Sequence, residues 1–139
     1  MTRIFVDTSA LLGLLDADDP RQASVRDAFA SHANDDLVTH GYVVAESIAV
    51  ARRRLGVDGA IALIDDVLPA LELLQIDPEL HAAALTRYRE SLPTGTSFVD
   101  QVSLAVMARE SIDTALVLDS DFAAAGINVI PVTSQPSPA

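Results

Sequence analysis

Short apolar runs alternate along the chain with longer segments of helical character. The apolar and β-branched runs predict five strands, at residues 4–6, 37–39, 71–76, 115–118 and 128–132. Capping residues, prolines and glycines bound the predicted helices, at residues 10–15, 20–32, 42–54, 58–68, 78–90, 97–110 and 119–124. Apolar strands that alternate with helices are typical of a parallel sheet covered on both faces. We therefore expect an α/β fold, a three-layer α/β/α sandwich with a central parallel sheet of four to five strands.

The length and composition indicate one domain. The chain has 139 residues, of which 50% are hydrophobic, enough for a sizeable core. We expect this domain to cover residues 1–133 and the polar, proline-containing residues 134–139 to be a disordered tail. No apolar run approaches the roughly 20 residues of a membrane span, and the N-terminus becomes polar too early for a signal peptide. The sequence therefore predicts a soluble, cytoplasmic protein.

Composition excludes several kinds of chemistry. The chain has no cysteine, which excludes disulfides, thiol catalysis and cysteine-bound zinc. All nine basic residues are arginines, and the absence of lysine excludes Schiff bases and the lysine of phosphate-binding loops. The net charge of −11 is unfavourable for a protein that binds nucleic acid through phosphate neutralisation. Because the chain has no cysteine, any bound metal must be held by oxygen ligands or by histidine.

Four segments place an acidic residue where exposure to solvent does not readily explain it. Asp7 and Asp119 follow predicted strands, at the edge of the sheet where ligands bind in such folds. Glu46 lies within an apolar helix, and Asp100 begins another. Each has an ordinary structural alternative: Asp7, Asp100, Asp119 and the neighbouring Asp121 could cap helices, and Glu46 could lie on a narrow polar stripe.

Convergence of these acids would favour a bound cation. Carboxylates in one cleft repel each other, which costs stability unless they share a positive ion. Mg²⁺, with Mn²⁺ as a substitute, prefers oxygen ligands and takes one or two carboxylates together with waters and substrate phosphates. The sequence therefore favours a magnesium site.

Taken together, these segments resemble the PIN-domain ribonucleases, and specifically the VapC toxins of type II VapBC toxin–antitoxin systems. Order, spacing and context agree over almost the whole chain. The matching segments are VDTSALL at residues 6–12, VAE at 44–46, SFVD at 97–100, LDSDF at 118–122 and AG at 125–126. The resemblance implies Mg²⁺-dependent hydrolysis of a transfer or ribosomal RNA, neutralisation by a VapB-type antitoxin, and homodimers.

The resemblance also assigns roles by position. Asp7 and Asp100 match the principal metal ligands, and Glu46 and Asp119 match the other catalytic acids. Supporting roles fall to Thr8 or Ser9, as the hydroxyl beside the first aspartate, and to Asp121. The chain departs from the family pattern at Val117, where relatives commonly have a hydroxyl.

Basic residues are few, so their positions matter. Arg52, Arg53 and Arg54 end the helix that carries Glu46 and are candidates for RNA binding. Their structural alternative is a favourable interaction with the C-terminus of that helix. The three histidines are scattered, and we expect them to have ordinary surface roles.

Two other classes of protein remain as alternatives. A phospho-aspartate receiver-like signalling module has a similar length and alternation, but it requires a lysine, which is absent here. A catalytically inactive PIN module could retain the fold alone. A haloacid-dehalogenase-like phosphatase is disfavoured because Thr8 and Ser9 stand where its second aspartate should follow. Among nucleases, the absence of a large basic surface favours RNA over structured DNA.

Overall fold

Five parallel strands form one sheet at the centre of the molecule, in the order β3-β2-β1-β4-β5. The computed structural model describes residues 2–119 and 121–134. The strands are β1 (Arg3–Val6), β2 (Asp36–His40), β3 (Glu72–Leu74), β4 (Thr114–Leu116) and β5 (Asn128–Val129). The helices are α1 (Thr8–Leu15), α2 (Gln22–Ser31), α3 (Gly41–Ala62), α4 (Pro78–Ser91), α5 (Phe98–Arg109) and α6 (Asp121–Ala124). The predicted three-layer α/β/α sandwich is confirmed.

The core is built around the central strand. Ile4, Phe5 and Val6 of β1 are all buried, because the helices cover both faces of a parallel sheet. The ring of Phe5 stacks on those of His40 and Phe122. Strand order reverses at β1, from which the chain passes first to β2 on one side and later to β4 on the other. The crevice where ligands bind in such sheets is therefore at the carboxyl end of β1.

Helix α3 contains the break that the sequence predicts at Gly56. This residue has φ 76° and ψ −165°, a conformation that side chains with a Cβ strongly disfavour. Two helical stretches therefore meet at Gly56, as expected. The second stretch continues into a π-helical turn (Leu63–Val67), which lies within the helix predicted at residues 58–68. A 3₁₀ turn (Leu68–Ala70) then carries it two residues beyond that prediction.

Strands β3, β4 and β5 are shorter than predicted at their carboxyl ends, whereas β1 ends at the predicted residue and β2 extends one residue further, to His40. The predicted strand at 115–118 ends at Leu116, and the one at 128–132 ends at Val129. Beyond β4, the Leu118 N–H donates to Ser9 Oγ (2.9 Å) instead of to a neighbouring strand. The chain thus leaves the sheet after β4, and its backbone holds the hydroxyl of Ser9, which in turn donates to the Asp7 carboxylate.

Two further predictions concern the membrane and the tail. Among the described residues, no helix has both the length and the apolar character needed to span a bilayer. Most of the predicted tail, residues 135–139, lies outside the described part of the chain.

Candidate functional site

A cleft of about 320 Å³ opens beyond the carboxyl end of β1. All four predicted catalytic acids, Asp7, Glu46, Asp100 and Asp119, line it. They come from four separate parts of the fold: the end of β1, helix α3, the first turn of α5 and the segment after β4. The parallel sheet thus brings together residues that lie far apart in the sequence, such as Asp7 and Asp119.

Asp7 is held in place on one side of its carboxylate only. Its Oδ2 accepts hydrogen bonds from the N–H (3.3 Å) and the hydroxyl (3.0 Å) of Ser9, so Asp7 also caps α1. Its Oδ1 is buried and has no hydrogen-bond partner in the described structure. Burial raises the pKa of the Asp7 carboxyl above its usual value, the Ser9 bonds oppose this, and the charge of Asp119 adds to it. A buried, unpartnered carboxylate oxygen is costly unless a cation or donor binds to it.

Asp100 shows that the four acids interact. Burial, followed by the charges of Asp7, Asp119 and Glu46, raises its pKa to about 7. The Asp100 N–H donates to Ser97 Oγ (3.0 Å), so the residue that caps α5 is Ser97. The Asp100 carboxylate itself lines the cleft with the other acids.

The outer acids are less constrained. Glu46 is half-buried on α3, and Asp119 is exposed. Asp119 Oδ1 accepts a hydrogen bond from the N–H of Asp121 (3.3 Å). The Asp121 side chain is exposed, and Asp121 is not among the residues that line the cleft. Its contact with the cluster is through its backbone.

The structure distinguishes the two candidate hydroxyls. Ser9 bonds to the Asp7 carboxylate, whereas Thr8 Oγ1 accepts a bond from Ser47 Oγ (3.4 Å) and so links α1 to α3. Val117 is buried beside this region and supplies no hydroxyl.

The donor set fits a hard divalent cation. Four carboxylates converge, and the deepest presents an unpartnered oxygen. Among residues 2–119 and 121–134, no three acidic or histidine side chains lie close enough together to enclose a metal ion on their own. Mg²⁺ does not need such a cage, because it retains waters and takes only one or two carboxylates directly.

Three charged residues that were not among the predicted site residues also line the cleft: Asp16, Asp19 and Arg21. Asp19 accepts from Nε (3.0 Å) and an Nη atom (2.9 Å) of Arg21, and this pairing lowers the pKa of the Asp19 carboxyl. The available signal was the run DADDPR at residues 16–21, an acidic loop that directly follows the helix capped by Asp7.

The three arginines predicted to bind RNA differ in their position relative to the cleft. All three are exposed, but only Arg54 lines the cleft. Successive helical residues point about 100° apart, so three in a row cannot share one face.

The expectation for the histidines was wrong for His40, which is fully buried. Its Nδ1 accepts from the N–H groups of Tyr42 and Val43 at the start of α3, and its Nε2 bonds to Ser103 Oγ (2.8 Å). Burial lowers its pKa to about 4, so it stays neutral at physiological pH. His32 forms a surface pair with Asp35.

Comparison with known proteins agrees with this fold and cleft. The PIN domain family profile matches residues 4–128. The match includes all four acids and every strand except the first residue of β1 and the last of β5. The chain therefore belongs to the PIN-domain family.

Individual relatives narrow the relationship to the VapC ribonucleases. The 23S rRNA-specific endonuclease VapC20 of Mycobacterium tuberculosis is 33% identical over 127 residues, covering 88% of this chain and 94% of the relative. Ribonuclease VapC26 of the same organism is 32% identical, covering 84% and 86%. The crystal structure of M. tuberculosis VapC20, described as a sarcin–ricin loop cleaving toxin, superimposes with a TM-score of 0.80 at 30% identity, covering 89% of this chain and 95% of that one. DNA-bound VapBC from Salmonella typhimurium shares the fold, with a TM-score of 0.69 at 15% identity, covering 94% and 98%.

Proposed function

We propose that this protein is a Mg²⁺-dependent endoribonuclease and the toxin of a toxin–antitoxin pair. The observation that carries the proposal is the convergence of four carboxylates on one cleft, with the buried Asp7 Oδ1 left without a partner. Such an arrangement is stabilised by a divalent cation, and hydrolysis of a phosphodiester is the chemistry that a cation so placed supports.

Asp7 and Asp100 are the residues that would hold the metal ion. Asp7 presents its free Oδ1 from a position fixed by Ser9. At Asp100, burial and then the charges of the other acids raise the pKa of the carboxyl to about 7, so a cation there would stabilise its charged form. When bound, Mg²⁺ lowers the pKa of water and neutralises charge on the phosphate. Glu46 or Asp119 would accept a hydrogen bond from the attacking water and orient it, or would hold a second ion.

For the substrate we propose an RNA, with ribosomal RNA ahead of transfer RNA. VapC20, the relative named for 23S rRNA, matches this chain over most of both lengths. The domain expected over residues 1–133 would carry the activity, and Arg54 offers a cation to the phosphate backbone at the edge of the cleft.

For the partner we propose a basic VapB-type antitoxin. The Salmonella neighbour is a VapBC complex, and the net charge of −11 favours a partner of opposite charge. An arginine of that partner could pair with the acids in place of the metal. A homodimer of this chain within the complex follows from the same resemblance.

The proposal is tested by incubating the purified protein with intact ribosomes and, separately, with total transfer RNA. Each reaction contains either MgCl₂ or excess EDTA, and the new 5′ ends are mapped by sequencing. We expect discrete cleavage that requires the metal and is lost in Asp7→Asn. Asp18→Asn is the matched control, because this exposed acid does not line the cleft. Cleavage that persists in Asp7→Asn or in EDTA would contradict the proposal.

A further inference from the structure

A second groove, of about 330 Å³, adjoins the acidic cleft. The two cavities share Arg21 and Asp119, which therefore lie at their border. The remaining walls of the second groove are mainly apolar. They come from Val117 and Leu118 after β4 and from residues 129–132 at the edge of the sheet.

The outer wall of this groove is fixed at both ends. The Ile130 N–H donates to the Ala115 carbonyl (3.0 Å), and the Thr133 N–H donates to Ser24 Oγ on α2 (3.0 Å). Val129, Ile130 and Val132 are only half-buried, so apolar surface remains accessible between these anchors. The groove is therefore a built feature of the fold, and its volume lies at the lower end of the range of small-molecule sites.

Arg21 is a cation held in one orientation. Its Nε and one Nη bond to the two oxygens of Asp19, and its other Nη reaches the Leu118 carbonyl at 3.5 Å. A guanidinium has five N–H groups, so these three bonds leave two without a partner in the described part of the chain. The side chain is 37% exposed, and a ligand can therefore reach it.

We propose that Arg21 and the adjoining groove form a nucleotide subsite, in which Arg21 binds a phosphate next to the scissile one and the groove takes the attached nucleoside of a single-stranded RNA. The inference rests on the proposed ribonuclease function and adds the position of the flanking nucleotide. A planar guanidinium suits phosphate oxygens, and an apolar wall suits the face of a base. Because Asp19 already holds the guanidinium of Arg21 in one orientation, less conformational entropy is lost when RNA binds.

The phosphate half of the subsite is tested by RNA binding, with Asp7→Asn as the background so that the probe is not cleaved. The probe is a fluorescein-labelled single-stranded RNA of about 12 nucleotides, and affinity is followed by fluorescence anisotropy from about 50 to 200 mM NaCl. Arg21→Gln should weaken binding about tenfold and reduce the salt slope by about 0.7. The matched control is Arg26→Gln, an exposed arginine on α2 that lines neither cavity, which should change the affinity less than about twofold.

Arg21→Lys is a second variant that separates the loss of the guanidinium from loss of structure, since lysine keeps the positive charge but lacks the planar guanidinium. It should bind RNA with an affinity between those of the parent and Arg21→Gln, and thermal unfolding should show all three folded at the assay temperature. Equal affinities of Arg21→Gln and Arg26→Gln would overturn the proposal. If the wild-type protein cleaves no RNA in the ribosome and transfer RNA assays, the proposed function fails instead.

The nucleoside half is tested by filling the groove with Ile130→Trp. This variant should weaken binding of the RNA about fivefold or more, because the indole occupies the space proposed for the base, but leave binding of an abasic ribose–phosphate strand of equal length unchanged. Arg21→Gln should weaken both. Leu85→Trp, at an exposed position on α4, is the control for adding an indole to the surface. An equal effect of Ile130→Trp on both strands, or no effect on either, would contradict a base in the groove.

Discussion

The same cleft contains two groups of carboxylates whose pKa values are shifted in opposite directions: Asp19 alone in the first, and Asp7 with Asp100 in the second. Asp19 is paired with Arg21, and the pairing lowers its pKa. Asp7 and Asp100 face other acids, and burial with mutual repulsion raises their pKa values. The first group already has its cation, whereas the second has none within the described part of the chain and is stabilised by whatever positive charge binds to it. The difference separates a structural ion pair from a site prepared for a metal.

The largest expected effect is on catalysis, from Asp7→Asn. The variant keeps the size and capping capacity of the side chain but loses the charge that holds the metal, so RNA cleavage should fall by about 100-fold or more. Cleavage rates at saturating Mg²⁺ measure the change, and circular dichroism shows whether the fold is kept. A folded Asp7→Asn variant with near wild-type cleavage would contradict the claim that Asp7, unlike Asp19, holds the catalytic metal.

Glu46→Gln should have a smaller effect. This half-buried acid contributes to the field on Asp100 and is proposed to orient the attacking water, so cleavage should fall about tenfold. Single-turnover kinetics isolate the chemical step. The matched substitution Glu79→Gln, in the first turn of α4 and away from the cleft, should leave the rate unchanged. Similar rates for the two variants would remove Glu46 from the catalytic group.

Asp100→Asn should stabilise the metal-free protein at neutral pH. The pKa of Asp100 is raised to about 7 in the folded chain, whereas the unfolded chain releases this proton near the ordinary value of 3.8. The free energy of unfolding of the wild type should therefore fall as pH rises between these values, and Asp100→Asn should not show this loss. Since Asp100 is partly exposed, we expect a gain of about 1–2 kcal/mol above pH 7.

Urea denaturation in EDTA across this pH range measures the effect of Asp100→Asn. The wild type and the variant should converge in stability below pH 3.8, where Asp100 is protonated in the folded and the unfolded chain. A variant less stable than the wild type at neutral pH would show that Asp100 is not under electrostatic strain.

Asp19→Asn should have the opposite sign and the smallest size. It removes a satisfied ion pair near the surface, and the protein should lose about 0.5 kcal/mol of stability. Because pairing lowers the pKa of Asp19, this contribution is present above the unfolded value of 3.8 and is lost as pH falls below it. Denaturation at neutral pH, with Asp18→Asn as the control, measures the loss. A stabilising Asp19→Asn would place Asp19 with the unsatisfied acids.

The sequence was informative about local structure and about the acids for the same physical reason. Strand and helix periods record burial, and the acids stand out because they interrupt buried segments, as Glu46 does in α3. The sequence was less informative where a contact joins residues that are far apart along the chain. The early end of β4 depends on a bond from Leu118 to Ser9, and the burial of His40 depends on Ser103 from α5. Arg21 was missed because its partner, Asp19, makes the loop look like an ordinary charged surface turn.

Calorimetric titration of Mg²⁺ into the metal-free protein at neutral pH measures directly whether the unpaired acids hold a metal ion. We expect saturable binding that Asp7→Asn abolishes and Asp19→Asn leaves in place, since only the unsatisfied acids hold the ion. Equal Mg²⁺ binding by the wild type and Asp7→Asn, or no binding by the wild type, would contradict it.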